Sequence, residues 1–90
     1  MTTLLMEYAR ERETYHAVFL HDGQRCGAFD GGWTGMLQAL ARFVAEHPGA
    51  ALTLQRTDRE NIPPYVVSDY ETQLFRDDPV QAIRNWTVEV

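Results

Sequence analysis

The stretch "YHAVFLHDGQRCGAF", Tyr15 to Phe29, carries the strongest fold signal in this chain. Two short runs of apolar and aromatic residues flank the dipeptide Asp22-Gly23. Asp-Gly between two such runs favours a two-residue turn, because both turn positions need a positive φ angle that Asp and Gly tolerate. The stretch therefore predicts a β-hairpin.

A two-residue turn also sets the register of the hairpin, and with it the two faces of its strands, because side chains alternate between faces. One face is expected to carry Tyr15, Ala17, Phe19, His21, Cys26 and Ala28, and the other His16, Val18, Leu20, Arg25 and Phe29. Both faces are apolar, yet only one long helix pattern is available to cover a sheet. The second face must be covered by the C-terminal region, by a second copy of the chain or by another protein.

One alternating strand precedes the hairpin, and another follows the helix. Leu4, Met6 and Tyr8 alternate with polar or small residues, and Leu52 and Leu54 do so within "AALTLQRT". Alternation of this kind is typical of strands with one buried face.

Between these strands, "DGGWTGMLQALARFVAEHPG" has the pattern of an amphipathic helix. Thr34 is the expected N-cap, and Pro48-Gly49 ends the helix. Trp33 is expected to pack on the first turn, with exposure as a contact residue as the alternative. The apolar residues recur at three- and four-residue spacing. They are Met36, Leu37, Leu40, Phe43 and Val44.

The last third of the chain has less regular patterning. Ser68 and Glu71 have the spacing of a capping box, which predicts a short helix at "DYETQLF". Asp78-Pro79 is a stronger start signal and predicts a helix over "PVQAIRNW". The side chains that this helix would bury are Val80, Ile83 and Trp86. "WTVEV" is interpreted as a closing strand.

These patterns predict one α+β domain over residues 1–90. The expected architecture is an antiparallel sheet of about four to five strands with one long helix packed on one face. The elements follow the order βββαβ, then an irregular region with one or two short helices and the closing strand. In element order this resembles the front half of ribonuclease-H-like folds, and small antitoxins built on that truncated fold.

A nuclease of that kind implies acidic residues on the first strand, the helix and the fourth strand, clustered around a metal. Glu7 and Asp58 match the first and last of these positions, whereas the helix offers only Glu46 in its last turn. Glu46 lies too far along the helix to complete the cluster. The resemblance is therefore one of element order, over about 55 residues.

Composition excludes several function classes. The formal net charge is −5, and all eight basic residues are arginines, so phosphate-loop and Schiff-base lysines are excluded. The arginines are scattered among acids, which disfavours direct nucleic-acid binding and favours a protein partner; a basic one would complement the net charge. The longest apolar runs are far shorter than the roughly 18 residues that span a bilayer. With no secretory signal and a single cysteine, a cytoplasmic location is expected.

His16, His21 and Cys26 are spaced like metal ligands, but the expected register places His16 on the opposite face. Neither a metal nor another cofactor is expected. His21 and Cys26 share a face, so a Cys–His catalytic pair is an alternative. The simpler interpretation makes Cys26 a small core residue packed against Phe19 and the helix, and His21 an exposed turn residue. The chain is then not an enzyme.

Two segments offer candidate partner-binding residues. "RTDRENIPPYVV" is charged at first and then stiffened by Pro63-Pro64. This loop is expected to place Tyr65, Val66 and Val67 against the body and to leave its charged half outside; a packed connection without a partner explains it equally well. The loop candidates are Asp58, Arg59, Glu60, Asn61 and Tyr65. The acidic-patch candidates are Asp69, Glu71, Asp77 and Asp78, for which a solvated surface is the alternative.

The expected function is that of a small acidic interaction protein that regulates or inhibits a protein partner. In size and charge the chain resembles the small acidic inhibitors that phages and plasmids use against nucleic-acid-binding host defence complexes, including anti-CRISPR proteins. One alternative is an antitoxin-like or transcription-linked regulator acting as a homodimer. The second is a small enzyme using His21 and Cys26.

Overall fold

In the computed structural model, which describes residues 2–88, the Asp22-Gly23 turn joins β2 (Thr14–His21) to β3 (Gln24–Gly31). Both turn residues have positive φ angles, of 49° and 84°, as a two-residue hairpin turn requires. The Asp22 carboxylate accepts a hydrogen bond of 2.8 Å from the backbone N–H of Thr3, at the start of β1 (Thr3–Glu11). The predicted hairpin is confirmed, and its turn is tied to the first strand.

The register of the hairpin differs from the predicted one beyond its first two pairs. Phe19 pairs with Gly27 rather than with Cys26, so Cys26 is an extra residue in a β-bulge. One extra residue exchanges the two faces of everything that follows it in the strand. Phe29 therefore lies on the face of Phe19, and Ala28 on the opposite one, contrary to the prediction.

The helix α1 (Trp33–Ala45) follows β3 and packs on the face that carries Phe29. Its N-cap is Gly32, without a side-chain cap, so the prediction of Thr34 as N-cap is wrong. The Phe29 ring occupies the space beside Gly35, where a Cβ would lie 2.8 Å from a ring carbon. The five residues of the predicted apolar stripe, Met36, Leu37, Leu40, Phe43 and Val44, are all buried.

The sheet is mixed rather than antiparallel. β4 (Ala51–Arg56) runs parallel to β1, and β5 (Tyr65–Val66) runs antiparallel to β4. The strand order is β3-β2-β1-β4-β5. The helix returns the chain to the end of the sheet at which β3 began, so β4 takes the direction of β3 and hence of β1. The predicted α+β class holds, with five strands and three helices.

Two capped helices complete the described chain. Ser68 accepts a hydrogen bond of 3.2 Å from the backbone of Glu71 at the start of α2 (Asp69–Asp77). The Asp78 carboxylate likewise accepts a hydrogen bond of 3.2 Å from the backbone N–H of Gln81 at the start of α3 (Pro79–Val88). Both predicted helix starts are confirmed.

The predicted closing strand is wrong as far as the structure describes it. Residues 86–88 of "WTVEV" continue α3, and Glu89 and Val90 lie outside the described residues. The buried face of α3 is also rotated from the predicted one. Ala82 enters the core, whereas the side chain of Val80 is 67% exposed. Ile83 and Trp86 pack against the core and are partly buried.

Arg76, in the last turn of α2, ties that helix to the end of α1. Its guanidinium donates hydrogen bonds to the carbonyl oxygens of Val44, His47 and Ala50, at 3.1, 2.8 and 3.0 Å. The Val44 and His47 carbonyls also accept hydrogen bonds from the backbone N–H groups of His47 and Ala50, so Arg76 adds a second donor to each at the end of α1.

The core lies entirely between the three helices and one face of the sheet. That face contributes Leu4, Met6, Ala17, Phe19, Leu52 and Leu54, all buried. The neighbouring residues along each strand point to the other side. Nothing within residues 2–88 forms a second layer there. None of the helices in this part of the chain is long and apolar enough to cross a bilayer.

Candidate functional site

The sheet face turned away from the helices, which we call the open face, carries a row of mainly apolar residues that includes one threonine. Leu5 of β1 pairs with Leu20 of β2 and with Thr53 of β4, and Thr53 pairs with Val66 of β5. Cross-strand partners share a face, so the row crosses four strands, and Val18 adds to it in the next row of β2. The side chain of Val66 is 70% exposed.

The same face is acidic towards one end. His16 lies between two carboxylates: its Nε2 is 3.8 Å from Glu11, and its Nδ1 contacts Asp30. Glu7 lies between this acidic end and the apolar row. The bulge at Cys26 creates the arrangement, because it places Asp30 rather than Phe29 opposite His16.

The stiffened loop before β5 is anchored by its first acid. Asp58 accepts two hydrogen bonds from the Arg56 guanidinium, at 2.6 and 3.1 Å, and one of 3.3 Å from the backbone N–H of Arg10. The hydrogen bonds from Arg56, and then that from Arg10, hold the pKa of Asp58 well below its usual range. Arg59, Glu60 and Asn61 are exposed, as predicted for the charged half of the loop.

The apolar half of the loop packs only in part. Val67 is buried, but Tyr65 is 52% exposed and meets the Trp86 ring edge-on at 6.2 Å between centroids. Val66 belongs to the open face. Of the three residues expected to pack against the body, Val67 alone is buried.

The predicted acidic patch divides into two pairs. Asp69 and Glu71 lie in the first turn of α2, and Asp77 and Asp78 lie at its far end, about 12 Å along the axis from Asp69 to Asp77. Glu71 accepts a hydrogen bond of 2.9 Å from the Trp86 indole. Asp78 caps α3. The structure therefore does not bring these four carboxylates into one cluster.

Trp33 packs as a structural residue. It is the first residue of α1, and its ring lies 5.2 Å from that of Tyr15, between centroids. Its indole nitrogen is buried and makes no hydrogen bond to the described residues. Trp33 therefore packs at the helix start, as predicted. This position gives no support to the alternative, in which Trp33 is an exposed contact residue.

The cysteine occupies a different environment from the expected one, and His21 makes a ring contact that the sequence did not predict. Cys26 is exposed in the bulge, with its Sγ 3.5 Å from the Phe19 carbonyl, so its assignment to the core is wrong. The His21 ring is stacked on that of His47, with centroids 4.1 Å apart. Within residues 2–88, no three His, Cys, Asp or Glu side chains are grouped so that they could hold a metal ion.

A groove of about 430 Å³ crosses the helical layer between α1 and α3. Ala41, Ala45, Phe75 and Ile83 give it an apolar floor. The Arg76 guanidinium at its edge already binds carbonyl groups of the chain itself. Gln38 and Arg42 are the other polar residues that line the groove. Small-molecule sites usually hold several polar groups that converge on the ligand, and a largely apolar groove with a guanidinium already engaged at its edge is a weaker candidate.

The comparisons give no relative from which a function could be transferred. No protein-family model, no curated protein and no solved structure matches this chain. The open face is the candidate functional site on geometry alone. The sequence pointed to a second apolar face on the hairpin, and the structure places it on one continuous sheet.

Proposed function

We propose that this chain is an interaction protein that regulates or inhibits a protein partner by docking on it through the open face. The observation that carries the proposal is the row of Leu5, Leu20 and Val66, over which no described element packs as a second layer; Val66 is exposed, and Leu5 and Leu20 are half-buried. Solvent-accessible apolar side chains that neighbour one another on a sheet are typical of interaction sites. An apolar patch beside charged residues also matches the general anatomy of protein interfaces.

The charges on the open face suggest the chemistry of the partner. Glu7, Glu11 and Asp30 outnumber the one arginine of this face, Arg25, and the whole chain has a formal net charge of −5. Such a surface is complementary to an apolar patch bordered by arginine or lysine. Basic borders of this kind occur on proteins that bind nucleic acid, so docking would compete with the nucleic acid. This is the action expected of a phage- or plasmid-type inhibitor.

Two valines of nearly equal exposure allow a matched test. Val66 is 70% exposed on the open face, and Val80 is 67% exposed on α3 in the helical layer. Both are changed to serine, and each variant is used with wild type in affinity capture from a lysate of the source cell, followed by titration of the captured protein. Val66→Ser should weaken binding about tenfold, the value of one valine removed from an interface. Val80→Ser should bind like wild type.

The opposite pattern contradicts the proposal. If Val80→Ser lost the partner and Val66→Ser retained it, the helical layer would be the working surface. Circular dichroism of both variants controls for folding, since both side chains are largely exposed and neither belongs to the core.

A further inference from the structure

The two edges of the sheet differ in how they are protected from pairing with another strand. β5 forms one edge, is two residues long and follows Pro63-Pro64, whose nitrogens cannot donate to a ladder. β3 forms the other edge with eight residues and contains neither proline nor lysine. Natural proteins usually shorten or interrupt edge strands, or place lysine on them. Beyond its bulge and its two charged residues, Arg25 and Asp30, β3 has no such protection.

We propose that β3 pairs antiparallel with β3 of a second copy of this chain, which joins two five-stranded sheets into one of ten strands. The two-fold axis passes through the pair formed by Ala28 and its symmetry mate. Ala28 is exposed, and its neighbour Gly27 has no side chain. The two backbones can therefore approach to the usual strand spacing of about 4.8 Å without displacing large side chains.

The charges of β3 are self-complementary in this register. Arg25 and Asp30 are both exposed and both lie on the open face. Five positions apart, they would lie on opposite faces of a regular strand, and the extra residue Cys26 brings them to the same one. Pairing about Ala28 places Asp30 of the second copy opposite the bulge, beside Arg25. The two-fold axis repeats this ion pair, so the contact is made twice.

The direction of the two-fold axis determines the shape of the dimer. A two-fold axis between antiparallel edge strands runs perpendicular to the sheet, so the helical layers of both copies lie on one side. Both open faces then form a single, doubled surface on the other side. This inference does not rest on the proposed function, because it concerns the edge of the sheet and needs no other protein.

Charge reversal tests the ion pairs. Sedimentation velocity of the full chain over a wide concentration range should show a monomer–dimer equilibrium. Arg25→Asp alone and Asp30→Arg alone should each raise the dimer dissociation constant about tenfold, because each places like charges together. The double variant should restore the wild-type constant, because both pairs form again with their signs exchanged. A wild type that stays monomeric throughout, or a double variant no better than the single ones, overturns the proposal.

Cross-linking tests the register. In a Cys26→Ser background, Ala28→Cys should form a disulfide-linked dimer under mild oxidation. Opposed residues of antiparallel strands have Cα atoms about 4.5–5.5 Å apart, within the span of a disulfide. Val66→Cys, on the other edge of the sheet, is the control: it should dimerise like wild type but form no disulfide-linked dimer. A dimer that cross-links through position 66 and not through position 28 is formed by another surface and refutes pairing through β3.

Discussion

Arg76 joins two helices through three backbone carbonyl groups, and this role follows from the geometry of its guanidinium. The planar fork can donate several hydrogen bonds at fixed angles, whereas a lysine ammonium is a single point charge. Without Arg76, carbonyl groups of Val44, His47 and Ala50 would lose a donor at the junction of α1 and β4.

Arg76→Met should therefore lower the free energy of unfolding by about 1.5–3 kcal/mol, because the hydrogen bonds from a charged donor are lost while the Val44 and His47 carbonyls each keep a backbone donor. Arg76→Lys should lose most of the same stability. Chemical denaturation measures both. Arg84→Met, at an exposed position of α3, is the control and should change stability by less than about 0.5 kcal/mol. Equal effects of Arg76→Met and Arg84→Met would contradict the role of Arg76 as a tie.

Asp58 makes stability depend on pH in a defined direction. Its pKa lies below the usual value when the chain is folded, chiefly because of the hydrogen bonds from Arg56. A depressed pKa adds stability that is fully present above the unfolded value of about 3.9 and is lost as pH falls through the folded value. At neutral pH, Asp58→Asn should lower the melting temperature. The difference from wild type should shrink as the pH falls below about 4.

Thermal denaturation followed at several pH values checks this. Glu60→Gln, in the same loop and exposed, is the matched control and should change the melting temperature less at neutral pH. A constant difference between Asp58→Asn and wild type across the whole acid range would show that the carboxylate acts through something other than its ionised form.

At the scale of elements, the start of α3 is set by two adjacent residues, Asp78 and Pro79, which the sequence already indicated as a helix start. Asp78 accepts a hydrogen bond from the backbone N–H of Gln81, and Pro79 occupies the first helical position. An N-cap side chain satisfies one of the N–H groups that a helix start leaves without a partner.

Asp78→Ala should cost about 0.5–2 kcal/mol of unfolding free energy. Asp77→Ala removes an identical charge one position earlier, where the carboxylate accepts a hydrogen bond from the Gln73 side chain. That control should cost a few tenths of a kcal/mol, the usual size of such a pair on a helix surface. If both variants had the same unfolding midpoint, the loss of charge and not the loss of the cap would explain the result.

At the scale of the whole molecule, the surface proposed to bind a partner is not the surface that forms the core. The helical layer and one sheet face supply the core, so the open face has few packing duties to the fold. Charged residues of the open face can therefore be neutralised with little effect on stability. Neutralising the same number of charges on the helical layer then shows whether binding depends on where the charges lie or only on the net charge.

Glu7→Gln with Glu11→Gln removes two charges from the open face, and Asp69→Asn with Asp77→Asn removes two from the helical layer. Both double variants bring the formal net charge from −5 to −3. The open-face variant should bind the captured partner with an association rate about three- to tenfold lower, and with a weaker dependence on salt. The helical-layer variant should resemble wild type. Equal slowing of both would mean that net charge alone steers the association.

Much of the local structure could be predicted because its causes lie within a few residues. The Asp22-Gly23 turn, the buried stripe of α1 and the caps at Ser68 and Asp78 depend on backbone preferences and on side chains three or four positions apart. The sequence alone therefore determined the α+β class and most helix and strand positions. It also showed that the hairpin would have a second apolar face.

Only the tertiary structure decided where these elements meet. The bulge at Cys26 adds one residue next to Gly27, a glycine inside the strand that permits a bulge without requiring one, yet the bulge moves Phe29 into the core and Asp30 beside His16. The stacking of His21 on His47 and the carbonyl contacts of Arg76 join positions more than 25 residues apart. Such contacts depend on how helices and sheet pack and on which sheet face they cover. This packing placed all three helices on one side and left the open face.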